Sequence, residues 1–455
     1  MASVKKNFGY NLILTVCNYL FPLITYPYVS RVLGVENIGT CNFVDSIVNY
    51  FILFAQLGIG SYGVREIARC KNNRDRCNEV FSNLFAINTI LSFLAIVALI
   101  VCTYIITFSE PYKQFLWVGI LKLLFTLFLI EWFFQGIEQF KYITIRSVIV
   151  RCIYVVCVFL FVHDTNDALI YYTLTSLTIV INALWNWNYS RRFRTLSFKN
   201  LSPQLYIVPI LTFGYYRILT SMYTTFNVAF LGFVKDNAEV GYFTTATKLY
   251  GIILSVFTAF TTVMIPRVSY MLEQGEKQKL QDMANKILSL LVSLSIPMIL
   301  FCVFNAPAII LLIAGEGYEG AITPFRIVIF LLLIIGMEQI IIQQFIMASK
   351  KTKLTFIVST VGAIVGLSLN LLFTPRMGSV GSAISWGCSE FMVLLTGIYF
   401  LSKHLHIHIG IKNLFIPLSL GVIYLFPLLL CKYYIKDIWI CLLFSVFFVF
   451  CLKCA

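Results

Sequence analysis

Nine charged side chains fall inside stretches otherwise too apolar to hold them: Lys122, Arg151, Arg217, Lys248 and Arg326, and against them Asp45, Glu131, Glu338 and Glu390. At the middle of a bilayer-spanning helix each costs at least about 2.5 kcal/mol, so each asks for a counter-charge, a wet cavity or a ligand. Lys122, Arg151 and Arg326 stand within reach of helix ends, where a buried ion pair or a snorkelling head group accounts for them. Lys122 is no partner for Glu131 on one helix, because nine residues turn the helix by about 180°. Buried carboxylates such as Glu131 and Glu338 can titrate near neutral pH and couple a process to protons. Packing against a neighbouring helix dipole is the other reading. His404, His406 and His408 alternate beside a basic loop, and Cys70 with Cys77 and Cys451 with Cys454 are close in sequence. These read as a charged interface and as small buried thiols rather than as metal ligands.

The elements that carry these side chains are transmembrane. Hydrophobic residues make up 59% of the 455, charged ones 12%, and mean hydropathy is +0.87, whereas soluble domains are about half apolar and about a quarter charged. A span needs about 20 apolar residues. Runs of that length are predicted at 9–30, 40–62, 81–107, 115–137, 143–162, 168–189, 207–232, 241–266, 287–313, 322–347, 354–373, 379–402, 413–431 and 438–453. The first is too long for a signal-peptide core and reads as retained. Fourteen spans put both termini on one side. About two-thirds of the 34 lysines and arginines lie on that side, with Arg31, Lys113, Lys235, Arg376, Lys432 and Lys436 on the other, so the termini are expected in the cytoplasm. The same bias explains the net charge of +14 without nucleic acid. Tyr and Trp near span ends, among them Trp117, Trp132, Trp185, Trp187 and Trp439, are expected at the headgroup layer.

An internal repeat organises the spans. Phe8 to Thr15 recurs as Phe213 to Thr220 with six of eight positions matching, the Gly39 and Arg65 spacing recurs at Gly241 and Arg267, and Glu110-Pro111-Tyr112 is echoed by Glu316-Gly317-Tyr318, all at offsets of 202 to 206. Two six-helix units, 1–200 and 201–405, are expected, with two additional helices over 406–455. An even number of helices per unit makes the copies parallel, an arrangement that transporters use with the substrate path between lobes.

Arg31-Val32-Leu33-Gly34-Val35-Glu36-Asn37-Ile38-Gly39, Leu57-Gly58-Ile59-Gly60 and Arg65-Glu66-Ile67-Ala68-Arg69 resemble the amino-terminal signature of the bacterial O-antigen flippases. So do Glu131-Trp132-Phe133-Phe134-Gln135-Gly136-Ile137-Glu138 and Asn370 with Pro375, Gly378 and Gly381. These flippases belong to the multidrug/oligosaccharidyl-lipid/polysaccharide superfamily. The resemblance implies an all-α integral membrane protein, two lobes forming a V-shaped cleft, in the bacterial cytoplasmic (inner) membrane. It implies transfer of an undecaprenyl-pyrophosphate-linked glycan to the outer leaflet, a cationic cavity for the pyrophosphate, and in some members a coupling H+ or Na+. Membrane lipids and other assembly proteins, a polymerase or a chain-length regulator, are the further partners it suggests.

In such a cleft Lys248, Arg217 and Arg31 are the candidate bases for the pyrophosphate. The repeat aligns Lys248 and Asp45 one residue apart on spans eight and two. There they either neutralise one another until lipid arrives, form a permanent structural pair, or do not meet. Asp45, Glu131, Glu338 and Glu390 are the charge-pair or coupling candidates. A multidrug or other lipid-precursor exporter is the alternative within the fold. A membrane polymerase is disfavoured because the outer loops are too short to hold a sugar-processing site, and no phosphate-binding P-loop is present.

Overall fold

The computed structural model describes residues 4–105, 110–195, 201–274, 277–346, 349, 352–405 and 407. The spans expected at 413–431 and 438–453, with His406, His408, Cys451 and Cys454, lie outside the described residues. Every regular element among the described residues is helical. Two compact units are formed, Met1–Ser221 and Met222–Ala455.

In the first unit α1 (Val4–Gln56) is 53 residues long, more than twice what a crossing requires. Two expected spans meet within it, at Gly34, whose φ of 74° and ψ of 171° belong to a region open in practice to glycine alone. Leu57, at φ 35°, ends the second span and starts α2 (Ile59–Cys70). Then come α3 (Arg74–Ile105), α4 (Glu110–Thr126), α5 (Glu131–Gly136), α6 (Phe140–Phe161), α7 (Ala168–Ser190) and α8 (Gln204–Ser221). The expected fourth span is therefore broken, with Ile130 at φ 32° between α4 and α5. The sequence boundary at 200 would give α8 to the second lobe, whereas here it counts with the first unit.

An aromatic core joins α3, α5, α6 and α7. Trp132 stacks on Phe81 at 5.4 Å, Phe133 meets Phe81 edge-on at 5.0 Å, and Tyr142 stacks on Tyr189 at 3.9 Å. Trp132, expected at the headgroup layer, is thus buried in the core of its unit. Such rings contribute geometry-specific attraction beyond their burial.

The second unit contains α9 (Phe226–Val234), α10 (Asn237–Gln274), α11 (Lys277–Phe304), α12 (Ala306–Ile313), α13 (Ile322–Val328) and α14 (Leu331–Glu338). From α14 the chain runs into a π-helix, Gln339–Ile346. The last described α-helix, α15 (Thr352–Phe400), again joins two expected spans, at Gly378 with φ 58° and ψ −131°. There Glu239 Oε2 accepts from the Ser379 N–H at 2.6 Å.

Eight stretches among the described residues are long and apolar enough to cross a membrane; Gly9–Cys70 and Lys353–His404, at 62 and 52 residues, each cover two expected spans. The chain is a multi-pass helical membrane protein.

Candidate functional site

Asp45, on the second half of α1, is tied to α4. Lys122 Nζ donates to Asp45 Oδ1 at 2.6 Å and to Asn49 Oδ1 at 3.1 Å, and Asn49 Nδ2 donates to Asp45 Oδ2 at 2.9 Å. Four residues separate Asp45 from Asn49, so one helical turn sets both on one face. Both carboxylate oxygens of Asp45 are engaged inside the first unit. The sequence left open whether Asp45 meets Lys248; the partners shown for it are Lys122 and Asn49, which repeat register did not point to. For Lys122 the buried-pair reading holds.

Glu131 is likewise in an ion pair. Arg146 Nη2 donates to Glu131 Oε1 at 2.5 Å and to Ser147 Oγ at 2.9 Å, while Nη1 donates to Asn186 Oδ1. Asn186 in turn donates to the Leu129 carbonyl, which the break before α5 leaves without its helical partner. The Arg146 side chain is 1% exposed and that of Glu131 37%. The charge balance alone counts Arg146 with the bases of the cytoplasmic side and gives it no partner; it lies inside α6. A base close in sequence to an intramembrane Glu131 was the available signal, and Asn186 gave none.

Arg217, on α8, is placed otherwise. The left-handed turn at Leu57 exposes that residue's carbonyl, and Arg217 Nη1 donates to it at 3.4 Å. Two glycines let the backbones meet: a Cβ on Gly58 would lie 2.2 Å from the Ile210 carbonyl oxygen, and one on Gly214 would lie 2.3 Å from Leu57 Cδ2. The Leu57-Gly58-Ile59-Gly60 motif and the repeated Phe213 to Thr220 segment are thereby brought together. Arg217 is half-buried and makes no ion pair with a described residue. An uncompensated guanidinium on a membrane helix is a ready partner for an oxyanion.

Arg151 donates to the Cys17 carbonyl at 3.2 Å, and the exposed Arg31 to the Pro27 carbonyl at 2.6 Å. Beyond the end of α7, Arg194 is buried between Phe81 and Trp187, 4.4 and 4.0 Å from their ring centres. Burial, and then the neighbouring Arg191, push it down to about 10. Cys70 and Cys77 bring their Sγ atoms to 3.0 Å.

In the second unit Glu338 and Glu390 meet. Their carboxyls stand within hydrogen-bond reach of one another, and Trp386 Nε1 donates to Glu390 Oε1 at 2.9 Å. Glu390 is buried. Glu338 Oε2 is buried with no donor among the described residues unless one of the two carboxyls carries a proton. Nearby in sequence, Asn370 donates to Asn227, and Thr374 Oγ1 donates to Asn370 Oδ1 at 2.5 Å and lies 3.1 Å from Ser382 Oγ. Lys248 is half-buried on α10, and Arg326 Nε, on α13, donates to the Val303 carbonyl at 3.1 Å. Gly362 and Gly366, a G-x-x-x-G spacing, make a close helix contact within the unit: added Cβ atoms would lie 2.5 Å from Val393 and 2.6 Å from Ser389 Oγ.

Long broken helices with intramembrane charges define the class: a multi-pass helical membrane transporter fold. The family described as polysaccharide biosynthesis protein matches residues 4–272, over half of the chain, and the chain belongs to that family, within the multidrug/oligosaccharidyl-lipid/polysaccharide superfamily. The family described as MatE matches residues 215–372. A protein of Escherichia coli (strain K12) provisionally named an O-antigen transporter is 25% identical over 419 residues, covering 88% of this chain and 97% of that one. Among solved structures, the lipid II flippase MurJ in an inward closed conformation shares the fold with a TM-score of 0.80 at 14% identity, over 97% of both chains. An inward-facing multidrug resistance MATE family transporter gives 0.64 at 18% identity, over 88% of this chain and 94% of that one.

Proposed function

We propose that this protein is a flippase that carries an undecaprenyl-pyrophosphate-linked oligosaccharide from the inner to the outer leaflet of the bacterial cytoplasmic membrane by alternating access, for surface polysaccharide assembly. Membership of the polysaccharide biosynthesis family supports the cargo class. The observation that carries the chemistry is Arg217, a half-buried guanidinium whose hydrogen bond goes to a backbone carbonyl 3.4 Å away and which a pyrophosphate would satisfy better. Lys248, half-buried on α10 in the second unit, is a second candidate base.

The expected coupling ion is H+, held at Glu338 and Glu390. Two carboxyls in contact can share one proton and cannot both ionise cheaply. Neither makes an ion pair with a described residue, so a proton is what balances their charge.

Complementation of a flippase-deficient strain, read as surface polysaccharide, tests both parts at matched protein abundance. Arg217→Lys is expected to keep substantial activity, and Arg217→Met to lose at least tenfold. Normal flipping by Arg217→Met would remove the cationic step. Glu338→Gln with Glu390→Gln is expected to abolish the dependence of transport on a pH gradient; an unchanged dependence would exclude the pair as the proton carrier.

A further inference from the structure

A cavity of about 500 Å³ opens in the first unit where α2, α3 and α5 end or begin and where the chain leaves α7. Its walls include Lys71, Arg74 and Arg192, with Glu138, Phe133 and Phe193. Lys71 Nζ is held by Glu138 Oε1 at 2.6 Å, which offsets one base. Arg74 and Arg192 are exposed and make no ion pair with a described residue. Arg192 instead lies over the Tyr189 ring, 5.2 Å from its centre, which holds the guanidinium in place without neutralising it.

The local backbone is built for this arrangement. Glu138 adopts φ 62°, a conformation that few residues other than glycine, asparagine and aspartate take. That turn carries Glu138 to Lys71, 67 residues away in sequence. The aromatic block thus does two things: Trp132, Phe133 and Phe134 enter the core, while the turn that follows brings Glu138 to the cavity. Non-glycine residues held in such a region concentrate at ligand clamps, because surrounding contacts must keep them there.

We propose that this cavity binds a phosphate ester, with Arg74 and Arg192 gripping the phosphate and Ile137 and Phe193 lining the space for its organic part. Two guanidiniums suit phosphate oxygens through charge-assisted, paired N–H donation. A volume of about 500 Å³ lies in the range that accommodates small organic ligands, so an inorganic ion alone would leave it unfilled. The bases all belong to segments that the positive-inside pattern assigns to the cytoplasmic face. A phospholipid headgroup of the inner leaflet and the head of a lipid-linked pyrophosphate share this chemistry and this location. The site is separate from Arg217, Lys248, Glu338 and Glu390, so its test does not depend on transport.

The full chain is placed in phosphatidylcholine nanodiscs with or without phosphatidylglycerol. Lipid retained on the released protein is counted by native mass spectrometry, and inorganic pyrophosphate is titrated calorimetrically into the discs that lack phosphatidylglycerol. The paired change Arg74→Gln with Arg192→Gln is expected to weaken binding at least tenfold in one arm. Arg74→Lys with Arg192→Lys should retain most of it. Arg76→Gln removes one charge from the same region without lining the cavity, and should leave binding within twofold of wild type. Loss confined to phosphatidylglycerol identifies a structural lipid, and loss confined to pyrophosphate identifies the pyrophosphate head. Equal binding by wild type and the paired glutamine variant in both arms overturns the site, as does an equal loss in Arg76→Gln, which would mean diffuse surface charge. Both arginines are exposed, and gel-filtration profiles matching wild type verify that the variants are folded.

Discussion

Removing Glu131 and removing Arg146 should not cost the same. Arg146 keeps 1% of its side chain exposed and Glu131 keeps 37%. Glu131→Leu therefore strands a guanidinium that water cannot reach, leaving it Asn186 and Ser147 as side-chain acceptors. Breaking one partner out of a buried pair costs about 3–5 kcal/mol, and Glu131→Leu is expected in that range. Arg146→Met leaves instead a carboxylate that is not sealed inside the protein, and fills the site with a side chain of similar length. Its cost should be about 1–2 kcal/mol, chiefly the lost hydrogen bonds. The double variant should recover much of the loss of Glu131→Leu, since no buried charge remains. Thermal melting of the purified protein in detergent, together with the amount of folded protein per cell, measures all three. Equal losses from both single changes, or a double variant as poor as Glu131→Leu, would refute this argument from exposure. A fully stable Glu131→Gln variant that has lost pH-dependent transport would return Glu131 to the coupling residues.

The pair between α1 and α4 obeys the same rule: Asp45→Leu should sharply reduce folded protein because Lys122 is 9% exposed, and Lys122→Met in the same chain should restore it, as read by gel filtration of a fluorescent fusion. Gly378→Ala meets both a positive φ and Glu239 Oε2 at 2.5 Å, whereas at Gly34 nothing lies within 4 Å. The alanine at 378 should therefore lower the melting temperature more than the alanine at 34, whose cost is the backbone's about 1–3 kcal/mol. Lys248→Asp places in the second unit an acid within one repeat position of the one that the first unit carries at Asp45. It is expected to accumulate normally and fail to flip cargo, and wild-type transport by that variant would show that the base is not needed.

The crossings were legible because an apolar run of about 20 residues has few alternatives to a membrane helix. What interrupts them was not. Leu57 and Ile130 take positive φ although neither is glycine or asparagine, and no glycine or proline adjoins Ile130, so the fourth span read as continuous across the break that makes α5. Gly34 and Gly378 stood within the segments quoted for the family resemblance, yet nothing in composition distinguishes a hinge glycine from one that permits helix contact. Charges in apolar stretches were visible as a set, but their pairing depends on the rotation of neighbouring helices. Lys122 and Asp45 are 77 residues apart, and repeat register pointed Asp45 elsewhere. Glu338 and Glu390 were found singly, and only the fold shows that they share one site.

The repeat and the ion pairs together bear on why the two units differ. By the repeat's local offsets of 202 and 206, Asp45 falls one residue from Lys248 and Lys122 two residues from Arg326, so the positions nearly correspond. In the first unit those positions make an acid–base pair bonded through both carboxylate oxygens. In the second unit the nearly corresponding positions are both basic, on helices α10 and α13 that pack together. A duplicated scaffold has thus kept a neutral, cross-linked version of the site in one copy and a doubly basic version in the other. A charge in a membrane-embedded unit asks for a partner, water or a ligand, and under the proposed function the anionic cargo is what two bases on α10 and α13 would serve.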